Sequence, residues 1–365
     1  MLYFFFYEVP WLRGQLSLFN VVRYITVRTA AAAITALVLS LILGPWLIRK
    51  LREFQIGQII RTDGPESHRA KSGTPTMGGL LILTATLVPT LLWANLRNPY
   101  VWIAVLTTLA YGAIGFADDY LKIVRKSHDG LLPRYKLLNQ IIVGVAVGLV
   151  LLWMQNHGLY STRLIFPFFK RLIPDLGWIY LPFTALMLVW WSNSVNLTDG
   201  LDGLAISTTA IAAATYTALA YIIGNRVLAD YLYVIHFPQV AELTVFGGSL
   251  VGASLGFLWY NSYPAEIFMG DVGSLALGAA LGIVAILIKQ ELLLPIVGGV
   301  FLLEAASVVL QVSYFKATKG QRLFRMAPLH HHFELIGWSE PKVITRFVII
   351  GIIFALTSLA TLKLR

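Results

Sequence analysis

The sequence contains no cysteine, and only 13% of its 365 residues are charged. The lack of thiols excludes disulfide bonds, thiolate zinc sites and cysteine nucleophiles. Soluble globular domains carry about 25% charged residues. The low charge, together with 57% hydrophobic residues, therefore excludes an ordinary soluble domain. Because the whole chain has only 18 Asp and Glu residues, the few places where acids cluster are informative.

Apolar windows recur along the whole length, and about 20 apolar residues are what a helix needs to cross a bilayer. We predict an all-α integral membrane protein with about ten transmembrane helices, forming a single polytopic domain over residues 1–365. Residues 1–28 are predicted to be an aromatic interfacial segment rather than a cleaved signal peptide, because they lack a basic start. The ten windows are 29–48, 77–95, 99–117, 136–154, 176–192, 203–223, 240–260, 272–288, 292–313 and 343–362.

The charge of the connecting loops predicts the orientation. The loops 49–76, 118–135 and 314–342 hold fifteen Lys and Arg residues, whereas four loops on the other side hold six. By the positive-inside rule, the basic loops face the cytoplasm and both termini face outward. The motif loops 193–202 and 261–271 fall on the same side, so five cytoplasmic loops are predicted to form the active site. The net charge of +10 then indicates contact with anionic lipid rather than nucleic acid.

Two acidic motifs lie at the ends of apolar windows. Asp118 and Asp119 follow AYGAIGFA, and Lys122 lies one helical turn away, where it can pair with either acid or meet a phosphate. Asp271 lies in MGDVGS at the start of a window, where glycines permit close approach and a helix N-terminus attracts phosphate. Ionised acids near lipid are costly, so we predict a site for a divalent cation and a phosphate. A solvated helix end and an acidic N-cap are the plainer alternatives.

A third motif, NSVNLTDGLDG, places a polar residue at every third position. Its Asn193, Asn196, Asp199 and Asp202 would be neighbours on successive helical turns, although two glycines interrupt regular helix. Amide and carboxylate groups can hydrogen-bond a base or sugar and can ligate a hard cation. We predict a substrate-binding segment here, and a polar turn between helices is the alternative.

Two further loops carry cationic side chains. RTDGPESHRAKSGTPTMGG places Lys71 before a glycine-bracketed Thr76 and can present N–H groups to a phosphate, although it matches no P-loop. FRMAPLHHHFE contains His330, His331 and His332, which cannot all face one metal from a regular helix. We expect phosphate or sugar contact from this triplet rather than zinc. An ordinary turn and a structural histidine are the alternatives.

Together these strings resemble the polyprenyl-phosphate N-acetylhexosamine-1-phosphate transferase superfamily. ADDYLK, NSVNLTDGLDGLA, FMGDVGSLALG and MAPLHHHFE are similar to its motifs, in its order, from about residue 50 onward. GTPTMGG and the His triplet resemble its muramoyl-pentapeptide branch. The resemblance implies a Mg²⁺-dependent enzyme of the bacterial inner membrane, commonly a homodimer. Such an enzyme moves phospho-MurNAc-pentapeptide from UDP-MurNAc-pentapeptide to undecaprenyl phosphate, giving lipid I and UMP.

The resemblance also implies which residues act. Asp118, Asp119 and Asp271 would be the essential acids, with His330 in the same active site. From the chemistry of the transfer, we expect Asp271 to ligate the metal, with Asp119 as a second candidate, and Lys122 to neutralise charge. Asp118 would activate the lipid phosphate or act as a covalent nucleophile. The substrate side would be lined by Lys71, Thr76, Asn193, Asn196, Asp199, Asp202, Phe268, Gln311, His331 and His332.

Three other functions fit the sequence less well. An ion-coupled transporter would place its acids near the middle of the bilayer and show related halves, and we detect no internal repeat. An intramembrane prenyltransferase would need paired DxxxD-like motifs, which the Asp118–Asp119 pair does not provide. A UDP-GlcNAc or related sugar-phosphate transferase of the same superfamily is the nearest alternative, and the His triplet argues against it.

Overall fold

The computed structural model of the protein describes residues 2–3, 21–54, 73–125, 130–169 and 172–363. These residues are mainly helical, and an isolated β-bridge joins Arg163 and Asp175. The α-helices with described bounds are α1 (Ile25–Glu53), α2 (Gly79–Trp93), α3 (Pro99–Arg125), α4 (Pro133–Asn156), α5 (Tyr180–Thr198), α6 (Leu204–Gly224), α7 (Arg226–Leu232), α8 (Leu243–Asn261), α9 (Gly270–Leu287), α10 (Leu294–Val297), α11 (Gly299–Ala317), α12 (Leu329–Leu335) and α13 (Glu340–Thr361).

Each of the ten apolar windows coincides with helix. Within the described ranges, eight helical segments are long and apolar enough to cross a membrane, namely α1, α3, α4, α6, α8 with its preceding 3-10 turn, α9, α11 and α13. Of the other two, α2 has only 15 residues, and α5 ends in a polar stretch. The all-α membrane class is confirmed, and the number ten stays a prediction.

Two helices continue further into polar sequence than predicted. Helix α3 includes Asp118 and Asp119, and α5 includes Asn193 and Asn196, so the predicted loop starts at 118 and 193 are wrong. The physical reason is that a helix packed against protein keeps its backbone hydrogen bonds whatever its side chains face, whereas composition marks only the apolar part. Helix α1 begins inside the predicted interfacial segment 1–28, most of which lies outside the described residues.

Helix α9 lies at the centre of the bundle. Every residue from Val272 to Leu287 is buried, and the helix packs against α2, α3, α5 and α6. A helix that is apolar on all sides is expected to be surrounded by other helices. Small residues permit close approach: a Cβ at Gly115 of α3 would overlap the backbone of Asp271, the second residue of α9. Helix α3 is thereby held directly against the N-terminal end of α9.

Buried ion pairs join the helices at the C-terminal end of α9. Because an 18-residue helix is about 27 Å long, these pairs lie about that far from the N-terminal end of α9. Beyond that end, Lys289 donates to Glu291 at 2.7 Å and to the hydroxyl of Tyr180 at 3.0 Å, and Glu291 is fully buried. Arg28 of α1 makes two contacts of 2.7 Å with the carboxylate of Glu242. Removing one partner of a buried ion pair strongly destabilises a fold. These contacts therefore have a structural role, and they are remote from the acidic motifs.

Candidate active site

The acidic motifs meet at one end of the bundle. Asp118 and Asp119 are buried in α3, and Asp271 is half-buried at the start of α9. One ligand atom from each carboxylate lies within 4.8 Å of the others, close enough for the three to share a divalent cation. Oxygen ligands of this kind are what Mg²⁺ prefers. The structure thus brings together the three acids that the sequence assigned to one site.

Two lysines lie among the three acids. The Nζ atom of Lys122 is 2.5 Å from Asp118, 2.7 Å from Asp271 and 3.5 Å from Asp119. Lys136, in the first turn of α4, places its Nζ 2.9 Å from Asp271 and 4.0 Å from Asp118. Lys122 was assigned from sequence, but Lys136 was missed. Its signal was a lone lysine that opens an apolar helix on the side predicted to be cytoplasmic.

Backbone N–H groups orient the two acids of α3. Asp119 accepts a hydrogen bond of 3.1 Å from the N–H of Val272, so a carboxylate of α3 caps the N-terminus of α9. The partial positive charge at a helix N-terminus favours an anion there. Asp118 accepts a bond of 2.9 Å from the N–H of Leu131, in the segment that leads into α4. Each carboxylate therefore has a fixed orientation and its own donor.

The two asparagines of α5 have different partners. Asn196 donates to Asp271 at 2.5 Å and to the hydroxyl of Ser274 at 2.8 Å, which fixes the Asp271 carboxylate. Asn193 donates instead to Gln140 of α4 at 2.7 Å. Steps of three residues drift around an α-helix by about 60° each, so evenly spaced polar residues do not stay on one face. The substrate-binding role of Asn193 stays a prediction, while its contact in the structure joins α4 to α5.

The glycine-bracketed loop lies against the segment that precedes α9. The backbone of Phe268 forms two hydrogen bonds of 2.8 Å with residues 75–78. Gly270 has a φ of 70°, and a Cβ there would meet the Thr76 hydroxyl and a carboxylate of the acid cluster. Thr76 is thus placed beside the acids, and its role in binding the substrate stays a prediction. Lys71 lies outside the described residues.

The DGLDG turn (residues 199–203) joins α5 to α6 and is fixed at its C-terminal half. The carboxylate of Asp202 accepts from the N–H of Ala265 at 2.9 Å, and its own N–H donates to Glu340 at 3.0 Å. The N–H of Gly203 donates to the side chain of Asn261 at 3.1 Å. Two distant parts of the chain, residues 261–265 and the start of α13, therefore hold this half of the turn.

The N–H of Asp199, at the other half of the turn, bonds to the carbonyl of Asn196 at 3.3 Å, whereas its carboxyl group forms no hydrogen bond or ion pair with a described residue. Burial raises the pKa of this carboxyl to about 8, and the charges of Asp271, Asp119 and Asp202 add to the effect. A carboxyl with that pKa is mostly protonated at neutral pH. Asp199 therefore adds a neutral donor beside the acid cluster.

The three histidines and Gln311 order the last loop. The polar contacts of the triplet include Glu304 for His330 at 3.2 Å, Glu334 for His331 at 2.8 Å and the N–H of Arg325 for His332 at 3.2 Å. These partners differ, in agreement with the argument that three consecutive histidines cannot face one metal. Gln311 of α11 accepts from the N–H groups of Leu323 and Phe324 at 3.0 and 2.9 Å, so it holds the loop before the triplet.

The fold and the site define a polytopic α-helical membrane protein with three carboxylates and two lysines gathered at one end of its bundle. The glycosyl transferase family 4 model matches residues 101–289, and signature 1 of the phospho-N-acetylmuramoyl-pentapeptide-transferases matches residues 71–83. The chain belongs to the phospho-N-acetylmuramoyl-pentapeptide-transferases of that family.

Three relatives that bear this transferase name are similar over the whole chain. The protein of Desulfatibacillum aliphaticivorans is 60% identical, with 97% of this chain and 98% of that protein covered. The protein of Koribacter versatilis is 56% identical, and that of Geobacter sp. (strain M21) is 55% identical, each with both chains fully covered. At this level of similarity, the family assignment applies to the entire helical bundle and not only to the motifs.

The pKa of Asp199 predicts a pH-dependent stability. Because its folded-state pKa of about 8 lies above the ordinary value of 3.8, the unfolded chain binds fewer protons, and stability falls as pH rises from about 4 to 8. The loss from this group is at most about 1.4 kcal/mol per pH unit. The substitution Asp199→Asn removes this pH-dependent loss of stability. We therefore expect the Tm of the variant, relative to the Tm of the wild type, to rise between pH 5 and pH 8. Parallel Tm curves across that range would contradict the assignment.

Proposed function

We propose that the protein transfers phospho-MurNAc-pentapeptide from UDP-MurNAc-pentapeptide to undecaprenyl phosphate, forming lipid I and UMP. The observation that supports this most directly is the meeting of Asp118, Asp119 and Asp271 with two lysines at one end of a membrane bundle. The donor is soluble and strongly anionic, whereas the acceptor phosphate is attached to a lipid. The reaction therefore needs metal ligands and cations at a membrane surface. The homodimer that the family resemblance implies stays a prediction.

The transfer exchanges one phosphoanhydride for another. An oxygen of the lipid phosphate bonds to the sugar-linked phosphorus of the donor, and the bond from that phosphorus to the bridging oxygen breaks. UMP leaves with the electron pair. We infer direct attack, because a phosphate monoester has a second pKa near 6 and is largely dianionic at neutral pH. Asp118 is assigned to activate the lipid phosphate by accepting the proton that its monoanionic fraction still carries.

The carboxylate cluster suits Mg²⁺. Its donor set is three carboxylates within 4.8 Å, and hard oxygen ligands match this ion. We assign Asp271 as a metal ligand and Asp119 as a second one. When bound, the ion supplies positive charge to the donor diphosphate. Lys122 and Lys136 neutralise the carboxylates and can turn their ammonium groups to phosphate oxygens, while Asn196 keeps the Asp271 carboxylate oriented.

Replacing Asp271→Asn tests the metal assignment. We expect turnover to fall by at least about 100-fold, because an amide oxygen is a weaker ligand than a carboxylate and the charge that balances two lysines is lost. The measurements are UMP release as a function of Mg²⁺ concentration and Tm in detergent. A matched control is Asp175→Asn, an exposed acid in the bridge outside the cluster, which should keep wild-type turnover. Wild-type activity and Mg²⁺ dependence in Asp271→Asn would refute the assignment.

The donor assay separates this transferase from its nearest alternative. The acids serve any UDP-sugar, so selectivity must come from groups near the sugar, such as Arg322 and Arg325 in the last loop, which suit a peptide carboxylate. With undecaprenyl phosphate and Mg²⁺, we expect rapid UMP release from UDP-MurNAc-pentapeptide and little from UDP-GlcNAc. Efficient turnover of UDP-GlcNAc alone would favour the GlcNAc-phosphate branch. Stoichiometric UMP without lipid, together with a hydroxylamine-sensitive phosphoprotein, would indicate a two-step route instead.

Thiol labelling tests the orientation that we propose, with the site at the cytoplasmic face of the inner membrane and both termini outside. The chain has no cysteine, so Ser127→Cys and Val227→Cys each add a single thiol, and Val227 is 76% exposed. The positive-inside rule predicts that an impermeant reagent applied to intact cells labels Val227→Cys but labels Ser127→Cys only after the cells are opened. Labelling of Ser127→Cys from outside would reverse the topology.

A further inference from the structure

Glu304 is a buried acid that the mechanism above does not use. It lies in the membrane helix α11 and is 0% exposed. The Nδ1 atom of His330 lies 3.2 Å from the Glu304 carboxylate. Neither carboxylate oxygen, and neither ring nitrogen of His330, forms a hydrogen bond of good geometry with a described residue, so the two side chains meet by close packing and electrostatic attraction. Burial of an acid without a partner is costly, so the contact with His330 accounts for the presence of Glu304 in an apolar helix.

The imidazole of His330 is closed off on its other side by the DGLDG turn. His330 is 1% exposed, and a Cβ added to Gly200 would overlap its Nε2 atom. The ring therefore fills the space between the carboxylate of α11 and the backbone of the turn. A carboxylate 3.2 Å from Nδ1 attracts an N–H at that nitrogen, and its contact restricts the position of the ring. In the structure His330 contacts the turn rather than presenting an open edge to a ligand.

The half of the turn that His330 contacts has little other support. The N–H of Gly200 bonds to the carbonyl of Thr198 at 2.9 Å, and that of Asp199 bonds to Asn196 at 3.3 Å, both within the same short segment. In the described chain, no side chain hydrogen-bonds to Asp199 or Gly200, whereas the C-terminal half is held by two distant parts of the chain. Packing of His330 against Gly200 is therefore a constraint on the adjacent Asp199, which lies beside the acid cluster.

We propose that Glu304 is a positioning residue that acts through His330 to hold Asp199 and Gly200 against the acid cluster. The consequence for turnover rests on the proposed function, because it is measured on the transfer reaction. The consequence for the turn does not, because it concerns the fold alone. Glu304 restricts the position of the His330 ring, and the ring packs against the backbone of the turn. The turn then determines where the carboxyl group of Asp199 lies.

The test compares two matched glutamates. Glu304→Gln and Glu291→Gln make the same change at two acids that are both 0% exposed and both paired to one basic side chain, at opposite ends of the bundle. We expect Glu304→Gln to lower kcat/KM for UDP-MurNAc-pentapeptide by roughly 10- to 100-fold. It should also raise deuterium uptake in a peptide covering residues 196–204. Glu291→Gln should change neither, although its Tm falls.

A double substitution tests whether the effect passes through the imidazole. In a His330→Gln background, Glu304→Gln should add no further uptake at residues 196–204, because the group that it orients is gone. Additive increases would overturn the proposal, as would wild-type uptake in Glu304→Gln or an equal increase in Glu291→Gln. If Glu304→Gln does not accumulate in the membrane, Glu304→Asp, which withdraws the carboxylate from the ring, should show the same local increase.

The two proposals fail in different ways. If the wild-type protein released UMP from neither donor, the proposed function would fall, and deuterium uptake at residues 196–204 would still decide the role of Glu304. If the wild type turned over UDP-MurNAc-pentapeptide and Glu304→Gln kept kcat/KM within about twofold with unchanged uptake, only the positioning role would be lost.

Discussion

Three carboxylates can share a space of 4.8 Å only where positive charge and N–H donors offset their mutual repulsion. Here the offset comes from Lys122 and Lys136 and from the N-terminus of α9, which donates to Asp119. The rest of the bundle holds these groups in position. Helix α9 is buried along its length, so its N-terminal end has one possible position, and α3 and α4 bring acids and lysines to it. The arrangement of α3, α4 and α9 at this end of the bundle therefore meets that electrostatic requirement.

The features that the sequence predicted are those with local causes. A helix that crosses a bilayer needs a continuous apolar run, and such runs are visible without any knowledge of their neighbours. An acid beside an apolar run is costly, so Asp118, Asp119 and Asp271 stood out individually, and the charge of the loops placed them on one side before any geometry was known. Lys122 was identified because its spacing from the α3 acids is a helical turn.

The features that were missed depend on contacts between distant segments. Lys136 has no spacing relation to the acids, since it reaches them from α4 across the bundle. Asn193 belongs to an evenly spaced row, yet the helix turns it toward Gln140. Glu304 was hidden inside an apolar window, although a single acid in such a window is itself a signal of a buried partner. The position of the His330 ring between Glu304 and the DGLDG turn could be found only from the three-dimensional structure.

One hydrogen bond has a consequence for how the protein is made. The N–H of Asp202 donates to Glu340, the first residue of α13, which is the last helix of the described chain. The turn between α5 and α6 therefore lacks one of its hydrogen bonds until the ribosome has translated α13 and this helix has entered the membrane. A nascent chain in which only the preceding helices are inserted has the acids but not the completed turn. Completion of the turn is thereby coupled to the insertion of α13, and truncated products that lack this helix reach the membrane with an unfinished turn.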